Sequence, residues 1–407
     1  MRGCSPCLAL VVTVLMASCV PPAPAPVPFG DTSIEYVAVE VLVNEDDLSF
    51  WDIPLLDEPV MSTAPPDRGD GLDVGELGVD GGDRVAIVAL AEELAGGRYG
   101  ACDSLLLVHQ GKLVFEAYFR RGRINITHPQ VSATKSYTAL ALGRAIQLGH
   151  LAMSDLDQPL VSLLGDLDPS GFAEGAETIT LHDALTMSSG LRISEAQLEA
   201  IEQDPRVVAG REQVRAYLRS SAPVTREARR FAYQGTDPTL VMQVIDAVVP
   251  GSAEAFIKGE LLDRLGITTY GWQTDVSGLP RAGDRASISS RAMAKWGLLV
   301  LNEGTWADDQ LIPRAYIEKL TARAVALRGE DVDVASASVG NPGYGYFWWQ
   351  ADLLSAGERY FSTSAQGGGG QYVVVVEELD LIVVVTAHGL ESPALALIAE
   401  RIVPAFR

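Results

Sequence analysis

Ser132-Ala133-Thr134-Lys135-Ser136-Tyr137, followed by an apolar run that ends at Gly149-His150-Leu151, is the stretch on which the reading of this chain turns. From 132 to 149 most residues are adequate or good helix formers, and Ser132 stands where a hydroxyl caps a first turn. Residues three apart on a helix share a face, so a helix starting here sets the Lys135 amine beside the Ser132 hydroxyl. A serine hydroxyl becomes a nucleophile when a base lies within hydrogen-bond reach, and unpaired N–H groups at a helix start favour a developing oxyanion. Lysine serves as that base only when neutral, a state that burial and nearby positive charge promote by lowering its pKa. The same spacing also suits a plain helix cap with a surface lysine. The chain is poor in lysine, however: of Lys112, Lys135, Lys258, Lys295 and Lys319, only Lys135 has a serine three residues before it.

Working outward, 85–94 reads as a helix, and 104–108, Gln110-Gly111 and 113–119 read as a hairpin. Helical or loop segments fill the middle, among them 181–187, 212–218 and 239–248. Strand patterning returns at 345–350, 360–364, 372–376 and 381–386, before a final helix near 393–403. Strands at both ends with helices between them predict an α/β (α+β) fold. One antiparallel sheet is built from the two terminal parts, flanked by helices, with an inserted helical lobe over roughly 140–285.

The stretch at 132–137 resembles the serine β-lactamase-like superfamily, in particular its class C, esterase and 6-aminohexanoate-dimer hydrolase branch. Further motifs in the same order carry the resemblance over 84–407: Leu106-Leu107-Val108-His109-Gln110-Gly111-Lys112-Leu113-Val114-Phe115-Glu116, Leu185-Thr186-Met187-Ser188-Ser189-Gly190-Leu191, Leu261-Leu262-Asp263-Arg264-Leu265-Gly266-Ile267 with Trp272 after it, 287–297, and Tyr344-Gly345-Tyr346-Phe347-Trp348-Trp349. The resemblance implies a second element with a tyrosine, which Phe231-Ala232-Tyr233-Gln234-Gly235-Thr236-Asp237 fits. Tyr233 would exchange protons with Ser132 and the leaving group, assisted by Lys135; a buried structural tyrosine is the alternative. Gly235, a candidate substrate contact, departs from the Asn or Ser that many relatives carry there.

The third element of the resemblance is Ala365-Gln366-Gly367-Gly368-Gly369-Gly370-Gln371. By that likeness the N–H of Gly368 joins that of Ser132 in an oxyanion hole, with Gln366 and Gly367 facing substrate; a flexible turn is the alternative. Glycines permit such approach because no Cβ intervenes. Relatives that bind carboxylated substrates have Lys-Thr-Gly or His-x-Gly here. Ala365 supplies no cation, so an ester or small amide is expected ahead of a penicillin. Of the aromatic residues Trp272, Tyr344, Trp348 and Trp349, Tyr344 is the leading candidate for a substrate contact, against an ordinary place in the core. The expected activity is that of a serine hydrolase working through an acyl-enzyme, with no cofactor and no metal. A D-Ala-D-Ala carboxypeptidase or β-lactamase, and a non-catalytic envelope receptor for cell-wall peptides, are the alternatives.

Other chemistries lack their signatures. The chain has no GxSxG elbow, no HExxH among His109, His128, His150, His182 and His388, and no GxxxxGK phosphate loop. A net charge of -22 and a pI near 4.6 oppose binding to nucleic acid. At 407 residues and 47% hydrophobic, the chain is long enough to bury a large core.

The first residues predict export. Arg2 precedes an apolar run over 8–17, too short to span a bilayer, and Met16-Ala17-Ser18-Cys19 resembles a bacterial lipobox in which Cys19 is lipidated. The expected organisation is a signal peptide at 1–18, a proline-rich spacer at 19–35, an extension at 36–83 and a hydrolase domain at 84–407, held at the bacterial cell envelope by the N-terminal lipid. Cys4 and Cys7 fall in the segment to be removed, which leaves Cys102 without a partner for an internal disulfide.

Overall fold

Side chains alternate across a strand, so the unbroken apolar runs near 105–108, 373–376 and 381–385 demand cover on both faces. The computed structural model describes residues 50–165, 167–204, 206, 209–329, 331, 336–390 and 394–407. Its main sheet contains β1 (Val60–Ser62), β2 (Asp73–Val74), β3 (Gly100–His109), β4 (Lys112–Tyr118), β5 (Val325–Ala326), β6 (Val339–Tyr344), β7 (Trp349–Ser355), β8 (Glu358–Gly367), β9 (Gln371–Val376) and β10 (Leu381–Leu390). The order is β1-β4-β3-β10-β9-β8-β7-β6-β5, with β2 alongside β4. The C-terminal β10 pairs with β3 in antiparallel register, Leu381 opposite His109 and Val385 opposite Leu105. The two ends of the chain therefore meet in the middle of one sheet, as expected.

Leu105, Leu107, Val374, Val376, Leu381 and Val383 pack on one side with Ile87, Leu90 and Leu94 of α1 (Arg84–Ala95). Leu106, Val108, Val373, Val375, Ile382 and Val384 pack on the other, against the helical part of the chain. There, α2 (Thr134–Gln147) is buried from Thr134 to Ile146 and lies beside α5 (Thr236–Val248). Short helices α3 (Leu181–Leu185) and α4 (Glu212–Ser220) lie between these two in the chain, and α6 (Ser290–Leu301) returns to the sheet. A Cβ at Gly297 of α6 would sit 2.6 Å from Ile382 Cγ2, which shows how closely that helix meets β10.

Two expectations need correction. Ser132 does not cap α2: it sits in a 3-10 turn, Val131–Ala133, and the helix begins from Ala133 without a side-chain cap. Of the strand expected at 345–350, Trp349 and Gln350 begin β7, while 345–348 form a bend between β6 and β7. Gly345 is forced there because a Cβ would lie 2.2 Å from Leu320 O, and Phe347 adopts φ 57° while its N–H donates to Leu185 O at 3.0 Å and its carbonyl accepts from Ser136 Oγ at 2.6 Å. These tertiary bonds override the local β-propensity. The helix expected near 393–403 is present as one continuous helical run, passing from α (Ala394–Leu397) through π (Ile398–Ile402) to 3-10 geometry (Val403–Phe406).

From residue 50 onward the extension contributes β1 and β2, both paired with β4. Cys19, the proline-rich spacer and the first part of the extension, 36–49, lie outside the described residues. No single helix among the described residues is long and apolar enough to cross a membrane.

Candidate active site

The segment 128–132 is tied to both halves of the molecule, and that is what places Ser132. The buried Gln130 donates from its amide nitrogen to His128 O at 2.7 Å and accepts from Tyr137 Oη at 2.7 Å, while its N–H donates to Ala286 O at 2.8 Å. Val131 then takes φ 48°, a left-handed conformation that a β-branched residue adopts only under constraint. Such a residue costs about 1–3 kcal/mol, and the bonds to Gln130 hold it in place.

One turn on, Lys135 Nζ donates to Ser132 Oγ at 3.1 Å and to Gly283 O at 2.7 Å. Lys135 is only 6% exposed. Burial lowers its pKa to about 8, against the opposing pull of the Asp284 carboxylate. The amine thus titrates near neutral pH while touching the hydroxyl. Lys135 Nζ also lies 4.9 Å from the centroid of the Tyr233 ring.

Tyr233 reaches Ser132 from the loop before α5. The residue is 40% exposed, yet burial around the phenol raises its pKa, an effect that the neighbouring Ser132 hydroxyl partly offsets. The loop is pinned where Ala232 N–H donates to Met187 O at 2.8 Å. Tyr344 and Trp349 brace the ring from β6 and β7, with centroids at 6.3 and 5.3 Å.

The glycine run closes the third side. Gly367 ends β8 with its backbone against the Ser132 segment: a Cβ there would stand 2.2 Å from Gln130 O. Gly368 follows in the turn to β9, where a Cβ would meet Val131 Cγ1 at 3.7 Å. Among the described residues, the Gly368 N–H donates to no backbone carbonyl. Gly369 and Gly370 complete the turn at φ 87° and 118°, which only glycine adopts freely. An open cleft of about 350 Å³ begins at Val131, Ser132 and Lys135 and runs past Gly235 and Gly283 to Glu202, Asp275 and Asp284.

Nucleophile-type hydroxyl, buried amine, phenol and glycine turn thus converge from three stretches of sequence, at 132–135, 233 and 367–370. Residues 88–404 match the family described as Beta-lactamase. The chain belongs to the beta-lactamase family. Among solved structures it is similar to a penicillin-binding protein homologue from Caulobacter crescentus (14% identity, TM-score 0.60, 85% of this chain and 100% of that one). It is also similar to a D-stereospecific amidohydrolase from Streptomyces sp. (16%, 0.55, 78% and 98%), and to a Bacillus anthracis protein assigned as a 6-aminohexanoate-dimer hydrolase (16%, 0.56, 76% and 79%). At these identities the likeness is one of fold. No curated protein matches the chain significantly.

Within this beta-lactamase-family site, not every expected contact lies on the cleft. Tyr344 is fully buried, its hydroxyl without a partner, so it supports Tyr233 and is not a surface for substrate. Gly367 serves the close approach of two backbones, and Gln366 turns its amide to Ser364 Oγ at 2.8 Å; these two, like Tyr233 and Gly368, stand outside the lining of this cleft. Gly235 does line it, and a Cβ there would meet nothing within 4 Å.

Asp237 was quoted in the tyrosine motif without a role, and its position explains two motifs at once. Its Oδ1 accepts from Ser189 Oγ at 2.6 Å and from Gln234 Nε2 at 2.7 Å, locking the 185–191 loop to the Tyr233 loop. Complete burial pushes its carboxyl up to about 7, and Oδ2 has no partner. An aspartate at the start of a helix reads as a solvated N-terminal charge, so only the fold reveals this one as interior.

Proposed function

We propose that this chain is a serine hydrolase that cleaves an ester or small amide through an acyl-enzyme. Ser132 Oγ attacks the carbonyl carbon as its proton passes to neutral Lys135, directly or through Tyr233. The oxyanion is received by the N–H groups of Ser132 and Gly368, each such donor being worth about 100-fold to 1000-fold in rate. Collapse breaks the bond to the leaving alcohol or amine, which takes the proton, and leaves Ser132 acylated. Water then adds to the acyl carbon, giving its proton to the same amine and phenol, and the acid departs as Ser132 Oγ is reprotonated. The observation that carries this reading is the 3.1 Å contact between the Ser132 hydroxyl and a buried amine whose pKa lies at about 8.

Charge in the cleft supports substrates without a carboxylate. Ala365 is fully buried and offers no cation. Arg281 at the cleft wall is neutralised by Asp284, Nε to Oδ1 2.7 Å, leaving the two carboxylates of Glu202 and Asp275 against the single amine of Lys135, so the walls are negative on balance. A neutral or cationic acyl or leaving group suits such walls; a penicillin carboxylate does not. Steady-state turnover of p-nitrophenyl acetate against nitrocefin tests this, with intact mass spectrometry to find the acyl group on the Ser132 peptide. Ester turnover with an adduct on that peptide is expected. Comparable nitrocefin turnover would favour the β-lactamase or carboxypeptidase alternative, and a folded protein that never labels would favour a cell-wall-peptide receptor.

We further propose that the chain is exported and held at a membrane through a lipid on Cys19, on the strength of the 1–28 pattern. Incorporation of radiolabelled palmitate, lost in Cys19→Ser, is the expected result.

A further inference from the structure

Behind the Ser132 segment, three side chains from distant parts of the chain come together: Asp103 on β3, His128 in the short strand His128–Pro129, and His388 near the end of β10. We propose that Asp103, His128 and His388 form a binding site for a divalent cation of the zinc class. Their donor atoms all lie within 4.8 Å of one another. Asp103 Oδ2 is 3.3 Å from His128 Nε2 and 3.0 Å from His388 Nδ1. A tetrahedral zinc with bonds of about 2.0–2.1 Å separates its ligand atoms by roughly 3.4 Å, so these spacings are those of ligands round one ion. Two imidazoles and a carboxylate are a borderline donor set that leaves a coordination position open.

His128 Nδ1 lies 3.2 Å from Pro129 O, which leaves the Nε2 edge of the ring turned to the Asp103 carboxylate in a site where Asp103 is 2% and His128 4% exposed. The second shell is also in place: Asp103 Oδ1 accepts from the Arg121 N–H at 3.3 Å, which turns Oδ2 toward the imidazoles. Phe50 stacks flat on the His388 ring at 3.4 Å between centroids and meets His128 edge-on at 5.0 Å, covering the cluster from the extension. Ligands whose outer atoms are fixed in this way are the mark of a built metal site. The Arg121 guanidinium lies over the rings of Phe50 and Trp51, 6.0 and 5.2 Å from their centroids.

The place of the cluster gives the ion a structural consequence. His128 leads into Gln130, against which Gly367 packs. Beyond His388, the N–H groups of Gly389 and Leu390 both donate to Gly369 O, at 3.0 and 3.2 Å. An ion held by both histidines clamps the two backbones that carry Ser132 and the glycine turn. This inference stands on the cluster alone and survives if the acyl-transfer reading fails.

The test uses the full chain stripped with a chelator and then given Zn²⁺ alone, with bound metal counted by mass spectrometry and affinity measured by calorimetry. One zinc per chain is expected, with a rise in thermal midpoint. His388→Ala, at the partly exposed end of β10, is expected to weaken binding by about 100-fold or more and to abolish that rise. Co²⁺ bound to the wild-type protein is expected to show visible bands of a four- or five-coordinate N/O site, a readout independent of any variant's folding. Wild-type protein that takes up no zinc, or uptake unchanged in both His388→Ala and His128→Ala, overturns the proposal and leaves a charged imidazole as the partner of Asp103.

Discussion

Lys135→Arg is the substitution that most directly probes the chemistry, because guanidinium keeps the charge and most of the volume but cannot become neutral. With the amine at a pKa of about 8, roughly a tenth of wild-type molecules hold it neutral at pH 7, half at pH 8 and roughly nine-tenths at pH 9. If neutral Lys135 takes the proton of Ser132, kcat/KM for p-nitrophenyl acetate rises about ninefold from pH 7 to pH 9 and then flattens. An amine at its ordinary value of 10.5 would instead give a rise near 100-fold over the same range with no plateau. Lys135→Arg should lose about 100-fold to 10,000-fold in kcat/KM and lose the alkaline rise with it. Asp284→Asn removes the carboxylate that opposes the shift, so its midpoint moves to lower pH. The assay is initial-rate ester hydrolysis corrected for the uncatalysed reaction at each pH, with the fold checked by circular dichroism. A flat wild-type profile between pH 6 and pH 9, or a Lys135→Arg enzyme that keeps the wild-type rate and slope, would refute the assignment of Lys135 as base.

Tyr233→Phe keeps the ring against Trp349 and removes only the hydroxyl, so kcat should fall about 100-fold or more while thermal stability holds, measured by the same kinetics and by calorimetry. Gly367→Ala drives a Cβ into Gln130 O; urea unfolding should show a loss of about 1–3 kcal/mol, and the ester rate should fall with it as Gly368 is displaced. Asp237→Asn mimics the protonated carboxyl. Because the folded pKa is raised from 3.8 to about 7, the stabilising proton is held below that range and lost as pH rises through 7. Wild-type stability should therefore fall from pH 5 to pH 8 by an amount that the variant lacks, about 2–4 kcal/mol by urea unfolding. Arg291→Met leaves Glu116, 1% exposed, without the guanidinium it now bonds at 2.9 and 3.0 Å, and should cost about 3–5 kcal/mol in the same measurement.

What could be read from the chain was what repeats locally. The hairpin of β3 and β4 and the apolar runs of β9 and β10 follow from patterning, and the Ser132-to-Lys135 spacing holds even though the serine sits in a 3-10 turn and not at the helix cap. Tyr233 was reached by resemblance, since nothing local marks one phenol among twelve tyrosines. Tyr344 misled because an aromatic in a quoted motif has no sign of which face it serves; sheet packing put it inside. The interior carboxyl of Asp237 arises only when the 185–191 loop closes on the Tyr233 loop, and the meeting of Asp103 with His388, 285 residues apart, only when β3 pairs with β10. Short-range periodicity carries no information about either contact.

Those long-range contacts also explain why Ser132 can do without a cap. A hydroxyl that capped α2 would spend its acceptor on a backbone N–H and stand away from the amine. Here the positioning falls instead on Gln130, whose side chain and backbone bind His128, Tyr137 and Ala286 and whose carbonyl meets Gly367. The strained Val131 between them is the cost of turning the chain sharply enough to leave Ser132 Oγ facing Lys135. Sheet and helical lobe each hold one side of that turn: Gly367 comes from β8, while Ala286 and Gly283 come from the chain that returns from the lobe. The geometry of the hydroxyl is thus a property of the assembled fold, and loosening either side should cost rate well before it costs the overall structure.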